Sequence, residues 1–283
     1  MNIKHIFAGT ALFATALLGV SLWLASSATE HEISEHRSHV QRIAPPLSGG
    51  LPDPSVLATL PEPVQRFVKF TFPNGTVPAG RYVELQMAGE FRRPKTSDFS
   101  PTTATQTIAM GTPAMLFVAT TPIIPGVWAR AYDAYVDGHM VMKAKVLSAV
   151  SVVDEKSSPV LDQISLRRWL LESSFYPVAL MPGGLVHWEP VDKDRARAVV
   201  VFRGLRASLL GSFDTEGRLI RFDAEADGDL TTPYHGSGEH VERSDYQLVG
   251  GMMVPMRFTV ARAAGGKLFP FWSGRVKSYK VNS

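Results

Sequence analysis

The stretch SSPVLDQISLRRWLLESSFYPVALMPGGLVHWEP, residues 157–190, decides the fold because it holds one well-marked helix between many strand patterns. Ser158 is a suitable N-cap, and Pro159 stands at the first helical position, where proline is tolerated. An apolar stripe at helical spacing follows: Val160, Leu161, Ile164, Leu170 and Leu171. Tyr176 precedes a proline, which disfavours further helix. We therefore predict a helix over 159–174 that packs across a sheet.

The chain from residue 81 onwards changes to alternating apolar and polar residues, as in YVELQMAGEF (82–91), which is typical of half-buried strands. Ten or more such segments follow one another, separated by Pro, Gly and Asp. The predicted fold is mainly β (β-rich α+β): a curved antiparallel sheet or half-open barrel with one central helix packed across it. A curled sheet hides its edges. Residues 61–283 are predicted to form a single β-rich domain, entered through a short amphipathic helix with Val64, Phe67 and Val68 on one face.

The amino-terminal residues 1–28 have the pattern of an export signal or a single-pass membrane anchor. Lys4 precedes the apolar run 6–25, which approaches the length that spans a bilayer, and small residues follow it. We expect an exported protein that is periplasmic or anchored to the inner membrane and facing outward. Residues 29–60 are rich in polar residues and turn-formers, which indicates a spacer.

The composition excludes several classes of protein. Among 283 residues there is no cysteine, so disulfides and cysteine-bound metals are ruled out. The net charge is only +3 and the basic residues are scattered, whereas a nucleic-acid binder concentrates them in a patch. We predict neither nucleic acid nor a cofactor as a partner, and the composition leaves the oligomeric state open.

Three segments partly resemble motifs for nucleophilic catalysis or metal binding. Residues 236–238 (GSG) lack the spacing of a nucleophile elbow. The run HGSGEH (235–240) places its histidines five apart, not four, and lacks helix character, so no metal is predicted. The run DAEADGD (223–229) begins like a calcium loop, but Tyr234 stands where a bidentate glutamate is needed.

Aromatic and charged residues near the predicted helix are the candidate ligand-binding residues. Large aromatics dominate cores, yet a curved sheet with a helix over it also holds small apolar ligands. The candidates are Arg168, Trp169, Glu172, Tyr176, Trp188, Trp128 and Trp272. For Glu172 the alternative is an ion pair with Arg168, four residues earlier on the same helix face.

Several segments in order give the chain a resemblance to a known family. They are LPEPVQRFVKF (60–70), GEFR (89–92), DAYVDGHM (133–140), RRWLLESSFYPVALMP (167–182), HWEPVDKDRARA (187–198), FDTEGRLIRF (213–222), GGMMVPM (250–256) and FPFWSGRV (269–276), with Phe99, Pro101, Ala104 and Gln106 between the second and third. The chain resembles an uncharacterised bacterial family, domain of unknown function 6544, from residue 60 onwards. Phe99 and Val118 stand where that pattern has tryptophan. The resemblance implies an amino-terminal membrane or export segment and brings no functional residues. A likeness to half-barrel lipoprotein carriers of the cell envelope concerns the fold only.

Three functional hypotheses follow. The first is an exported, envelope-associated protein that binds an apolar ligand, such as a lipid or an acyl chain, in a β-rich cavity. The second is a hydrolase with carboxylate or histidine chemistry, which requires Arg168, Glu172, His187 and Glu189 to converge in one cleft. The third is a membrane-tethered structural or interaction module. Because no catalytic motif is present, we favour a role that is not enzymatic.

Overall fold

A computed structural model of the protein describes residues 3–47, 49–93, 96–228 and 239–283. Within these residues a single 13-stranded antiparallel sheet dominates the fold. The first group of strands is β1 (Tyr82–Arg92), β2 (Phe99–Ala109), β3 (Met115–Ile124), β4 (Val127–Val136), β5 (His139–Val146) and β6 (Val150–Glu155). The second group is β7 (Val186–Pro190), β8 (Arg195–Phe202), β9 (Leu205–Phe213), β10 (Leu219–Asp223), β11 (Glu239–Val249), β12 (Met252–Ala264) and β13 (Lys267–Asn282).

The helices are fewer. They are α1 (Ile3–Ile43), α2 (Pro54–Leu57), α3 (Glu62–Thr71) and α4 (Pro159–Glu172), and two short 3-10 turns, Ser173–Phe175 and Pro177–Leu180, follow α4. The mainly β fold with a central helix is therefore confirmed.

The order of strands in the sheet places the first and last strands side by side. The order is β6-β5-β4-β3-β2-β1-β13-β12-β11-β10-β9-β8-β7, and each strand is antiparallel to its neighbours. Tyr82 pairs with Asn282 and Phe91 with Trp272, so β1 and β13 run together along their length. Among the described strands β6 and β7 form the two edges, so the sheet is open and does not close into a barrel.

The central helix α4 connects these two edges and packs on the concave face of the sheet. The Ser158 hydroxyl accepts a hydrogen bond from the Leu161 amide at 3.2 Å, as predicted for its N-cap. Leu161, Leu166 and Leu170 are buried in the main core. Val160, in contrast, is 60% exposed, which corrects its place in the predicted stripe. The buried face of the helix is centred on Leu166 and Trp169 because strands contact it from both halves of the sheet.

The helix α3 covers the concave face further along. Val64, Phe67 and Val68 are buried, as predicted, and the Phe67 ring meets the Phe213 ring with 5.8 Å between centroids. A continuous main core therefore joins α3, α4, the two 3-10 turns and the inward side chains of the strands.

The helix α1 runs through the residues expected to be an export segment and on into the predicted spacer. Its second half packs on the convex face, where Ile33 and Val40 form a separate small core with Leu116, Val118 and Tyr132. Residues 29–44 are thus an ordered part of the fold. Among the described residues, no helix has a stretch both long enough and apolar enough to cross a membrane, in contrast to the anchor considered for residues 6–25. An export role for residues 1–28 stays a prediction.

Candidate functional site

The concave face of β2 to β5 has a floor of small side chains. Ala104 pairs with Ala119, Ala119 with Ala131, and Ala131 with Ala144, so four alanines stand in line across four strands. Directly paired residues point to the same side of a sheet, and Ala104 and Ala119 belong to the main core on the concave side. We call these four residues the alanine row. Ala104 and Ala119 are buried, whereas Ala131 and Ala144 are partly exposed, so the row runs from the core towards solvent.

A row of larger groups lies beside the alanine row, two residues further along each strand. Gln106 pairs with Phe117, and Phe117 pairs with Asp133, so all three share the concave face. Arg168 of α4 reaches this row: its Nη1 donates to Asp133 Oδ2 at 2.5 Å, and its guanidinium lies 4.8 Å from the centroid of the Phe117 ring. The alanine row together with Gln106, Phe117, Asp133 and Arg168 is called the concave cleft below.

The side-chain amide of Gln106 is the least satisfied polar group of the concave cleft. Gln106 is 2% exposed, and neither its Oε1 nor its Nε2 has a hydrogen-bond partner within the part of the chain that the structure describes. A buried amide without partners costs on the order of 1–3 kcal/mol. Such a group is retained where a ligand or water supplies the missing hydrogen bonds.

A buried carboxyl group faces the cleft from the other half of the sheet. Glu239, at the start of β11, is 7% exposed, and its Oε2 has no partner among the described residues. Burial raises the pKa of Glu239 to about 7, although Arg168 and Arg262 oppose the rise. The side chain is therefore half protonated near neutral pH.

A second buried ion pair lies behind the cleft. Arg243 of β11 donates from Nη2 to Glu172 Oε2 at 3.1 Å and stacks over the Phe175 ring, 4.0 Å from its centroid. Glu172 thus bonds to Arg243 rather than forming the predicted pair with Arg168, which is held by Asp133 instead. The helix is fixed to both halves of the sheet by these two pairs.

The predicted aromatic residues lie in three different environments. Trp169 donates from Nε1 to the Ala109 carbonyl at 3.1 Å, which links α4 to the end of β2. The Tyr176 hydroxyl donates to the Trp169 carbonyl, which links the segment after α4 back to the helix. Trp188 donates to the Leu180 carbonyl at 3.0 Å in the core. These three are buried structural residues.

The two remaining tryptophans are placed differently. Trp272 is 7% exposed and packs between Phe91 and Phe258 on the concave side. Trp128 is exposed on the opposite, convex face. The fold therefore brings Arg168 and Trp272 to the concave side together and leaves Trp128 away from them.

The four residues required by the hydrolase hypothesis do not converge. Arg168 and Glu172 lie on α4, on the concave side of the sheet. His187 and Glu189 flank the buried Trp188 on β7 and point to the opposite, exposed side. Glu189 instead bonds to Arg197, at 3.0 Å. The convergence expected for a shared active site is absent from these residues.

The two segments considered for metal binding, residues 223–229 and 235–240, lie only partly within the described residues. Residues 229–238, which include the GSG segment, His235 and Tyr234, lie outside the described residues. Asp223 bonds to Arg221 and to His240, and Glu225 to Arg197. Among the described residues no group of three or more His, Asp or Glu side chains could hold a metal ion.

A further groove lies on the convex face, with a volume of about 510 Å³. It is bordered by Glu90, Pro101, Thr103, Thr120, Pro122 and Arg275. Because these residues alternate with those that face inward, the sheet separates this groove from the concave cleft.

The fold and the cleft define a class: proteins with an open, curved antiparallel sheet whose concave face is covered in part by one helix. Within that class the chain belongs to a family of unknown function, DUF6920, whose model matches residues 58–280. The resemblance to domain of unknown function 6544 was wrong, since the segments that suggested it fall inside the range assigned to this different family. Neither a curated protein nor a solved structure matches the chain.

Proposed function

We propose that the protein binds an amphiphile, a lipid or another molecule with an acyl chain, in the concave cleft. The observation that carries this proposal is the Gln106 amide, which is buried beside the alanine row and has no hydrogen-bond partner among the described residues. An acyl chain would lie on the alanine row, where methyl groups provide an apolar floor. The polar end of the same molecule would accept and donate hydrogen bonds at Gln106.

The charges around the cleft support the same orientation of the ligand. Arg168 is placed over Phe117 and held by Asp133, so its guanidinium is fixed at the cleft rather than mobile. Arginine suits carboxylate and phosphate groups because its donors form a planar fork. A polar end with an anionic group would therefore compete with Asp133 for Arg168.

A fluorescent fatty acid, dansyl-undecanoic acid, tests the proposal in titrations of the purified full chain. Ala131→Leu adds bulk to the floor of the cleft and is expected to abolish the binding signal. Thr105→Leu adds similar bulk to the exposed face of β2, between Ala104 and Gln106, and is expected to leave binding unchanged. Equal binding by both variants, or no binding by the unaltered protein, would contradict the proposal. Native mass spectrometry of the purified protein is expected to record a co-purified molecule of lipid size.

The proposal extends to the location of the protein. An exported protein facing the cell envelope, held near the membrane through residues 1–28, would meet such amphiphiles where they are most abundant. The apolar character of residues 6–25 supports this location. Fractionation of cells that produce the full chain, with detection by an antibody, is expected to find it in the envelope fraction.

A further inference from the structure

Two neighbouring hairpins of the sheet carry exposed apolar side chains at the same end. The β3–β4 hairpin presents Ile123, Ile124 and Trp128, and the adjoining β5–β6 hairpin presents Val150 and Val152. Their exposed fractions reach 61% at Ile124 and 60% at Val152. The strands stay paired up to these tips, Ile124 with Val127 and Val146 with Val150, although the register shifts at Ile123 and at Val152. We call these five residues the apolar rim.

The helix α1 leaves the sheet at this same end. Glu30 accepts hydrogen bonds from Arg130 Nε and Nη2 at 3.0 and 2.8 Å, and Thr29 accepts from Lys145 Nζ at 2.8 Å. The Ser148 hydroxyl, in the turn before β6, donates to Glu30 as well. The part of α1 before these contacts therefore extends towards the apolar rim and beyond the body of the sheet.

Arg130 and Glu30 are in contact, and the distance from Arg130 to the start of β4 is similar to the distance from Glu30 back to Trp23 along α1. Arg130 is three residues from the start of β4, a length of roughly 10 Å in a strand. Trp23 precedes Glu30 by seven residues, also roughly 10 Å along a helix. Trp23 thus lies near the level of the apolar rim.

The first part of α1, before Thr29, exposes large apolar side chains in several directions among its described residues. Leu17, Leu18 and Trp23 are 52%, 62% and 66% exposed. Successive residues of a helix are about 100° apart, so these three point in different directions around its axis. A protein groove would cover one side of such a helix, whereas the acyl chains of a lipid layer would contact it on every side. This geometry favours lipid as the partner.

We infer that the apolar rim docks on a lipid surface, beside the first part of α1. The end of the sheet that carries the rim also carries the outer end of the alanine row, so docking there would place the concave cleft next to the lipid. The inference concerns a surface outside the cleft and goes beyond ligand binding. It also predicts a second membrane contact, separate from residues 1–28.

The fluorescence of Trp128 offers a direct test. The other tryptophans that follow α1 are buried, so Trp23→Phe leaves Trp128 as the exposed reporter. The full chain with this change is mixed with vesicles of phosphatidylcholine and phosphatidylglycerol that carry brominated acyl chains, which quench a tryptophan in contact with them. We expect clear quenching, its loss in Trp23→Phe/Trp128→Phe, and a several-fold smaller effect in Trp23→Phe/Ile124→Asp.

Sedimentation of the same mixtures measures binding to the vesicles independently of the quenching of Trp128. Protein that sediments with the vesicles while Trp128 stays unquenched would show that α1 alone makes the contact, and it would overturn the inference, as would a protein that does not bind. A rim that serves a protein partner would also leave Trp128 unquenched. Fatty-acid binding measured without vesicles is a separate readout, so the cleft and the rim can fail independently.

Discussion

Arg243 of β11 and Glu172 of α4 form an ion pair of 3.1 Å that joins the central helix to the second half of the sheet. The side chain of Arg243 is 1% exposed and that of Glu172 is 12% exposed, so the pair is withdrawn from water. Burial lowers the pKa of Arg243, and Glu172 opposes that effect. Each buried charge is therefore stabilised by the other, and the pair connects the helix to the sheet.

The first prediction concerns this pair. Arg243→Met leaves the Glu172 carboxylate buried without its partner and is expected to lower the free energy of unfolding by about 3 kcal/mol or more. Arg195→Met removes an exposed pair with Asp192 and is expected to cost far less, because water screens exposed charges. Urea unfolding followed by circular dichroism compares the two variants. A similar small loss in both would show that Arg243 contributes no more than a surface charge.

The second prediction separates binding from stability at Gln106. Gln106→Leu replaces a buried amide, which has no partner in the described part of the chain, by an apolar side chain of similar size. The ligand-free protein is therefore expected to gain on the order of 1 kcal/mol in stability. The same change is expected to weaken binding of dansyl-undecanoic acid. Stability comes from urea unfolding and affinity from fluorescence titration. A destabilised variant with unchanged affinity would mean that Gln106 serves the core and not a ligand.

The third prediction is a dependence of stability on pH. The pKa of Glu239 is about 7 in the folded protein, raised by burial from an ordinary 4.5. Between these values the folded state binds more protons than the unfolded state, so this group lowers the stability as pH rises from about 4.5 to 7. Glu239→Gln is expected to remove the loss, which is on the order of 3 kcal/mol. Unfolding curves at pH 5 and pH 8 measure it.

The control for this pH dependence lies on the same strand. Glu242 is exposed, and Glu242→Gln is expected to leave the difference between pH 5 and pH 8 as in the unaltered protein. If Glu239→Gln keeps the full difference as well, the carboxyl group of Glu239 is not the group responsible.

The fourth prediction concerns the close approach of β1 and β13. A Cβ atom on Gly89 would lie 2.0 Å from the Ser273 carbonyl oxygen and 2.6 Å from the Gly274 Cα, and both are backbone atoms that cannot turn away. Gly89→Ala is therefore expected to destabilise the protein by about 2 kcal/mol or more. Gly184→Ala meets its nearest atom at 3.4 Å and is expected to cost far less. Thermal unfolding ranks the two, and equal midpoints would contradict the close packing.

Local signals in the sequence were sufficient for α3, α4 and most strands, but not for the length of α1, which continues into the predicted spacer. Ser158 and Pro159 mark the start of α4, and the alternation after residue 81 marks β1, because capping and side-chain period depend on nearby residues. The pairing of β1 with β13 could not be predicted in this way. It depends on contacts between residues far apart, such as Tyr82 and Asn282, which leave no local pattern.

The candidate site was predicted only in part for the same reason. Arg168 was found because it stands on the marked helix. Gln106, Asp133 and Glu239 lie on three separate strands, and only the pairing of those strands brings them near α4. One signal was present: Ala129 and Ala131 alternate with larger residues in β4, which indicates a strand face with small side chains.

The neighbouring positions of β1 and β13 have a consequence for synthesis on the ribosome. One side of β1 stays without its partner until β13 has emerged, so the half-made sheet exposes an unpaired edge for most of translation. Such edges invite pairing with other chains, and pairing over long sequence separations is slow. Nascent chains that stop before residue 267 would carry that open edge permanently, which makes them natural clients for chaperones and proteases.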